Sequence, residues 1–259
     1  MMKHRIVNIT FITTAITLAL LSLFASVSWW FLGLSVVVWM TIVFVGSAWI
    51  GSNYHVKAYC SNPSEKQNKI AITFDDGPSE FTPKVLELLE KFDAKAAFFC
   101  IGKNIDSHPE ILRQTIEKGH IVGNHSYFHG KDFDWKNTAE VISELVQTDG
   151  AIKRNTGKIV KLFRPPYGVT NPSIANALKV TKHHVIGWNI RSMDGVSRNE
   201  NAIYNRIVKQ LKPGAIILMH DTSQVTVNVL ERLLLTLRDK NFTIVPVDIL
   251  LGLKAYEED

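Results

Sequence analysis

Between Lys69 and Pro246 the chain switches repeatedly between short apolar runs and longer stretches whose apolar residues recur at helical spacing. The runs lie near 69–74, 95–101, 120–124, 160–163, 184–189, 214–219 and 242–246, the pattern of buried strands separated by amphipathic helices. Such alternation confines the chain to parallel strands with right-handed crossovers, either a barrel or an open doubly wound sheet. No Gly-x-Gly-x-x-Gly follows any run, so a dinucleotide fold has no support. The residues least at home in a core, Asp75–Asp76, His125, Arg164, Asp194 and His220, fall at the C-terminal ends of the runs. In a (β/α) barrel that is the face on which chemistry is assembled.

Helix signals fill the gaps. Thr82-Pro83 and Asn171-Pro172 open helices with proline in the first turn, and His108-Pro109 opens another that Gly119 closes. Asn137 with Glu140 predicts a capping box for 138–155, ended by Gly157. Further helices are expected over 199–211 and 225–240, with a short one near the C-terminus.

Before this domain, no charged residue occurs from Ile6 to Ile50. About 20 residues cross a bilayer, so two spans are expected, near 6–25 and 31–50, divided around Ser26–Trp30. Trp29 and Trp30 would mark one interface, Trp49 and Tyr54 the other. A cleaved signal ending near Ala25-Ser26-Val27 would leave the second span unexplained. Residues 51–68 read as a linker and 69–259 as the folded domain. Of the net charge of +5, Lys3, Arg5 and Lys57 supply three before the first acidic residue, Glu65. The remainder is too nearly neutral for a nucleic-acid partner. Cys60 and Cys100 make no disulfide framework.

The run Ile72-Thr73-Phe74 ends on Asp75-Asp76-Gly77-Pro78. Neighbouring strand residues face opposite ways, so two carboxylates serving one site need a bend, which Gly77 and Pro78 allow. His125 and His129 are four apart, a spacing that shares one face on a helical turn. With one aspartate from another strand they would make a two-histidine, one-carboxylate cation site. That set suits Zn²⁺ and admits Co²⁺, Ni²⁺, Mn²⁺ or Fe²⁺. Arg164 ends a run and is followed by the rigid Pro165-Pro166-Tyr167-Gly168, and His220 sits at the tip of Ile216–Met219.

Taken in order, TFDDGP, HSYFH, RPPYG and LMHD resemble the polysaccharide deacetylase family of carbohydrate esterases, the NodB-homology domain, over roughly 67–250. The resemblance implies a distorted (β/α) barrel of about seven parallel strands, preceded here by a transmembrane hairpin. It implies Asp76, His125 and His129 as metal ligands, Asp75 as catalytic base held by Arg164, and His220 as catalytic acid paired with Asp194. The backbone N–H of Tyr167 would face the oxyanion. Gly195 stands where the family usually has a tryptophan walling the sugar groove.

The implied activity is metal-dependent removal of acetyl groups from N-acetylated amino sugars of peptidoglycan or a surface glycan. The alternative is a deformylase or deacetylase of a lipid-linked sugar at the membrane face. Membrane lipid is the other expected partner, through the two spans. Positive charge at both ends of a hairpin favours a cytoplasmic domain, while a single long signal-anchor would place the domain outside, the side slightly favoured.

Overall fold

The computed structural model describes residues 3–257. It begins with two helices, α1 (Lys3–Phe24) and α2 (Trp30–Ala48), each long and apolar enough to cross a membrane. They form a hairpin in which Trp39 donates its indole N–H to Asn8 Oδ1 at 2.9 Å and stacks on Phe11. A single turn (Ile50–Ser52) and strand β1 (Ala58–Tyr59) follow, inside the 51–68 stretch expected as a linker. Tyr54, His55 and Ala58 are buried there, as is Ile50 just before it, so this part of the stretch is packed rather than free.

The expected strands are present as β2 (Lys69–Asp75), β3 (Ala97–Cys100), β4 (Ile121–Asn124) and β5 (Leu162–Phe163). After them come β6 (His184–Ile186), β7 (Ile190–Arg191), β8 (Ile216–His220) and β9 (Thr243–Ile244). The described sheet therefore has nine strands rather than about seven. β1 and β7 have two residues each, too short for alternation to register in a sequence.

Between the strands lie α3 (Thr82–Lys91), α4 (Gly102–Ser107), α5 (Pro109–Glu117) and α6 (Thr138–Thr156). The remaining helices are α7 (Pro172–Thr181), α8 (Glu200–Val208), α9 (Gln224–Asp239) and α10 (Val247–Leu251). The capping box at Asn137 and Glu140 forms, and Gly157 closes α6 in the left-handed region at φ 71°. The short helix α4 had no counterpart in the sequence reading.

All strand pairs are parallel, in the order β1-β6-β5-β4-β3-β2-β8-β7, with β9 on the start of β2. β6 and β7 divide one continuous stretch of chain, β7 lying just past the expected run 184–189. The first half pairs with β5 and β1, the second with β8, so the sheet curls back on itself as a distorted barrel. Period two sorts β2: Ile70, Ile72 and Phe74 pack outward with the helix layer, while Ala71 packs with Phe99, Leu162 and Ile216. Thr73 and Asp75 share that inner face. Val247 and Leu250 of α10 close the inner cluster.

Candidate active site

Strand register sets the first two groups. Asp75, the last residue of β2, lies level with His220, the last of β8. Asp76 follows and would point away on a regular strand, but it takes φ 73°. This left-handed turn is costly for a non-glycine residue and is retained where the surroundings enforce it. The bend expected here is thus made by Asp76 rather than Gly77. Glycine at 77 has another cause, since a Cβ there would strike the carboxylate of Asp221.

The turn brings Asp76 Oδ1 to 3.4 Å from His125 Nε2 and 3.5 Å from His129 Nε2. The two histidines converge through a loop, not the helical turn that their spacing suggested. Ser126 and His129 both take positive φ, 62° and 51°. Glu144 of α6 holds the loop, its Oε2 accepting the N–H groups of Tyr127 and Phe128 at 2.9 Å each. Ser126 Oγ accepts the N–H of His129, and Asn124 Oδ1 that of Ser126. His125 Nδ1 lies 2.7 Å from the Arg164 carbonyl, a bond that places the proton on Nδ1 and leaves the Nε2 lone pair facing Asp76.

These three side chains fit a divalent cation. Asp76 Oδ1 is buried without a hydrogen-bond partner, an expensive condition unless something else satisfies it. One ligand atom from each residue falls within 4.8 Å of the others. The separations of 3.4 and 3.5 Å match the ~3.3 Å edge of a tetrahedron whose arms are about 2 Å. Burial alone would raise the pKa of Asp76, but the neighbouring His125, with His129 and His220, holds it well below the usual carboxylate range.

Asp75 is set apart from this group by Arg164. The guanidinium is fully buried and donates to Asp75 Oδ1 at 2.7 Å, Thr73 Oγ1 at 2.8 Å, and the carbonyls of Ile186 and Gly187 at 3.0 Å each. It lies 4.2 Å from the centre of the Phe99 ring. A buried cation needs this many partners, and the cage fixes Asp75 with its Oδ2 open, 3.8 Å from His125 Nε2.

His220 stands on the opposite wall, its Nε2 4.0 Å from Asp76 Oδ2 and its Nδ1 2.8 Å from Asp194 Oδ1. Asp194 also accepts the His220 backbone N–H and the hydroxyls of Ser192 and Thr226. Burial would lower the His220 pKa. The hydrogen bond and charge of Asp194, with Asp75 and Asp76 behind them, outweigh it and raise it to about 9. Gly195 lies flat against the imidazole, where a Cβ would come 3.2 Å from His220 Cε1. Tyr167, at φ 59°, places its ring 4.8 Å from that of His129. Six of the eight residues singled out in the sequence line a cleft of about 230 Å³, with Arg164 behind Asp75 and Asp194 behind His220.

Two supporting residues escaped the sequence reading. Glu144 was legible as an acid within the buried stripe Val141, Leu145, Thr148 of α6. Asp221 lies behind Gly77, hydrogen-bonded by Thr82, and burial pushes its carboxyl up to about 7. Removing Glu144 (Glu144→Ala) would leave two N–H groups unpaired and free the loop that carries His129. Metal affinity should fall ~10–100-fold, the usual loss when a supporting residue goes, measurable by zinc titration against a chromophoric chelator.

Fold and cleft together define a (β/α)-barrel protein whose mouth gathers two histidines and an aspartate beside a buried Asp–Arg pair and an Asp–His pair. Residues 62–186 match the family model described as Polysaccharide deacetylase. The peptidoglycan-N-acetylglucosamine deacetylase PgdA of Listeria monocytogenes is 34% identical over 194 residues, 74% of this chain and 41% of that protein. The chain thus spans less than half the length of that relative. PdaA of Bacillus subtilis, a peptidoglycan-N-acetylmuramic acid deacetylase, is 31% identical over 198 residues, 74% of each chain. The crystal structure of the Bc1960 peptidoglycan N-acetylglucosamine deacetylase superposes with a TM-score of 0.71 at 30% identity, covering 76% of this chain and 94% of that one. The chain belongs to the polysaccharide deacetylase family.

Proposed function

We propose that this chain is a membrane-anchored, divalent-metal-dependent deacetylase that hydrolyses the N-acetyl group of N-acetylated amino sugars in a cell-envelope polysaccharide. The observation that carries this reading is the cleft's division of labour. Asp76, His125 and His129 converge on one point, Asp75 is held off by Arg164, and His220 faces them with Asp194 behind it. The relatives' activities support the substrate class. The two apolar helices support the anchor, since almost none of their residues is buried.

Asp76, His125 and His129 would hold the cation, with Zn²⁺ suited to the donor set and Co²⁺, Ni²⁺, Mn²⁺ or Fe²⁺ compatible with it. When bound, the cation supplies Lewis acidity at the amide carbonyl and eases deprotonation of water. Asp75, oriented by Arg164, takes the proton of the attacking water as its oxygen adds to the carbonyl carbon. The backbone N–H of Tyr167 faces the resulting oxyanion, a donor worth about 3–4 kcal/mol. His220 Nε2 then protonates the amide nitrogen, the C–N bond breaks, and acetate leaves behind a free amine.

An N-acetylated chito-oligosaccharide and purified peptidoglycan should both release acetate without any change in chain length. Chelation should abolish release, and Zn²⁺ or Co²⁺ should restore it; a chelator-resistant activity refutes the metal centre. The Asp194–His220 pair adds a pH test. The acid form of His220 is the working one, and its pKa is raised chiefly by Asp194 against the effect of burial. Activity is therefore lost as pH climbs through that pKa. Asp194→Asn removes the raising charge, so the alkaline limb of kcat should move to lower pH; an unmoved limb would assign it to another group.

A further inference from the structure

The hairpin is braced against the wall of the cleft. The backbone N–H of Thr170 donates to the carbonyl of Ser47, the penultimate residue of α2, at 3.0 Å. Thr170 is two residues past Gly168, which lines the cleft beside Tyr167. Ile50 packs against Gly187, the neighbour of cleft-lining Trp188. The other end of the hairpin is tied to the same corner. Lys3 Nζ donates to the Ser52 carbonyl at 2.6 Å, His4 N–H to the Tyr54 carbonyl at 3.2 Å, and Ser47 Oγ lies 2.9 Å from His55 Nε2.

No free spacer intervenes between α2 and β1, because Ile50, Tyr54, His55 and Ala58 are buried. Two residues of chain reach at most ~7 Å, so the cleft wall lies roughly 10 Å from the end of the second helix. The headgroup layer beyond the hydrocarbon core is itself about 5–8 Å deep on each side. The corner where hairpin and domain meet carries exposed aromatic residues suited to that layer. Trp49 is 63% exposed at the hairpin base, and Trp135 is 89% exposed in a turn that Asn171 ties to the same corner. Arg191 lines the cleft and pairs with no carboxylate among the described residues, its guanidinium lying 5.8 Å from the Trp188 ring.

We infer that the cleft opens at the bilayer surface and takes an N-acetylated amino sugar joined through phosphate to a membrane lipid carrier, with Arg191 receiving the phosphate. This inference rests on the deacetylase reading and on the hairpin lying in a membrane. It narrows the substrate class from a polymer at a distance to a sugar still held at the membrane.

The test uses the full chain in lipid nanodiscs loaded with Zn²⁺. One substrate is N-acetylglucosamine linked by diphosphate to a long isoprenoid chain in the same bilayer; the other is soluble tetra-N-acetylchitotetraose at equal bulk concentration. Acetate should leave the lipid-borne sugar at least tenfold faster. Arg191→Ala should narrow that ratio, and Trp135→Ala should slow the lipid-borne reaction while leaving the oligomer rate unchanged. Equal rates, or release from the oligomer alone, overturn the inference and leave the deacetylase reading intact. Release from neither substrate sinks that reading, and the inference with it.

Discussion

Asp75→Asn should abolish deacetylation while the protein still binds its cation. Asparagine keeps the shape and leaves an oxygen to accept from Arg164, but it cannot take a proton from water. A positioned base typically contributes ~10²–10⁴ in rate, so kcat/KM should fall by that factor with zinc content unchanged. A second effect runs in parallel. Arg164 is fully buried and Asp75 is its only carboxylate partner among the described residues. Breaking a buried ion pair typically costs about 3–5 kcal/mol; the retained bonds to Thr73 and two carbonyls should keep the loss toward the lower figure. The melting temperature should therefore drop, and activity must be read well below it. Near wild-type turnover in a folded, zinc-loaded Asp75→Asn protein would remove Asp75 from the role of base.

His125→Ala should fail differently. The substitution removes a nitrogen 3.4 Å from Asp76 Oδ1 and leaves His129 as the one imidazole on that oxygen. It also strips the Arg164 carbonyl of its 2.7 Å hydrogen bond. Loss of a ligand should exceed the ~10–100-fold affinity penalty of losing a supporting residue. Zinc titration should register this, and activity should vanish with the zinc. The two variants separate base from ligand: one protein binds the cation without turnover, the other does neither. A His125→Ala protein with wild-type affinity would place the cation elsewhere.

The sequence exposed this site because strand ends are where its exceptions stand out. A carboxylate pair, an arginine and a histidine that each end an apolar run are visible without coordinates, as are the proline and capping signals of α3, α6 and α7. What stayed hidden depends on backbone turns and on distant partners. The spacing of His125 and His129 fits a helix, yet Glu144, fifteen residues beyond His129, folds the segment into a loop. Positive φ falls on Asp76, while Gly77 is kept small by the carboxylate of Asp221. The run 184–189 reads as one strand. It changes neighbours near Gly187 because the sheet must close there, and nothing local in the sequence records that.

The central place of β2 also governs the order in which the molecule can be made. Its partners β8 and β9 lie at 216–220 and 243–244, so a ribosome must deliver almost the whole polypeptide before this strand is enclosed. Contacts so remote along the chain form late. Under the proposed membrane anchor, the hydrophobic hairpin would be inserted by then, and the barrel would complete itself while tethered. Shortening the C-terminus ahead of Thr243 should consequently yield a protease-sensitive product, because the last strand to arrive is the one that pairs with the start of β2.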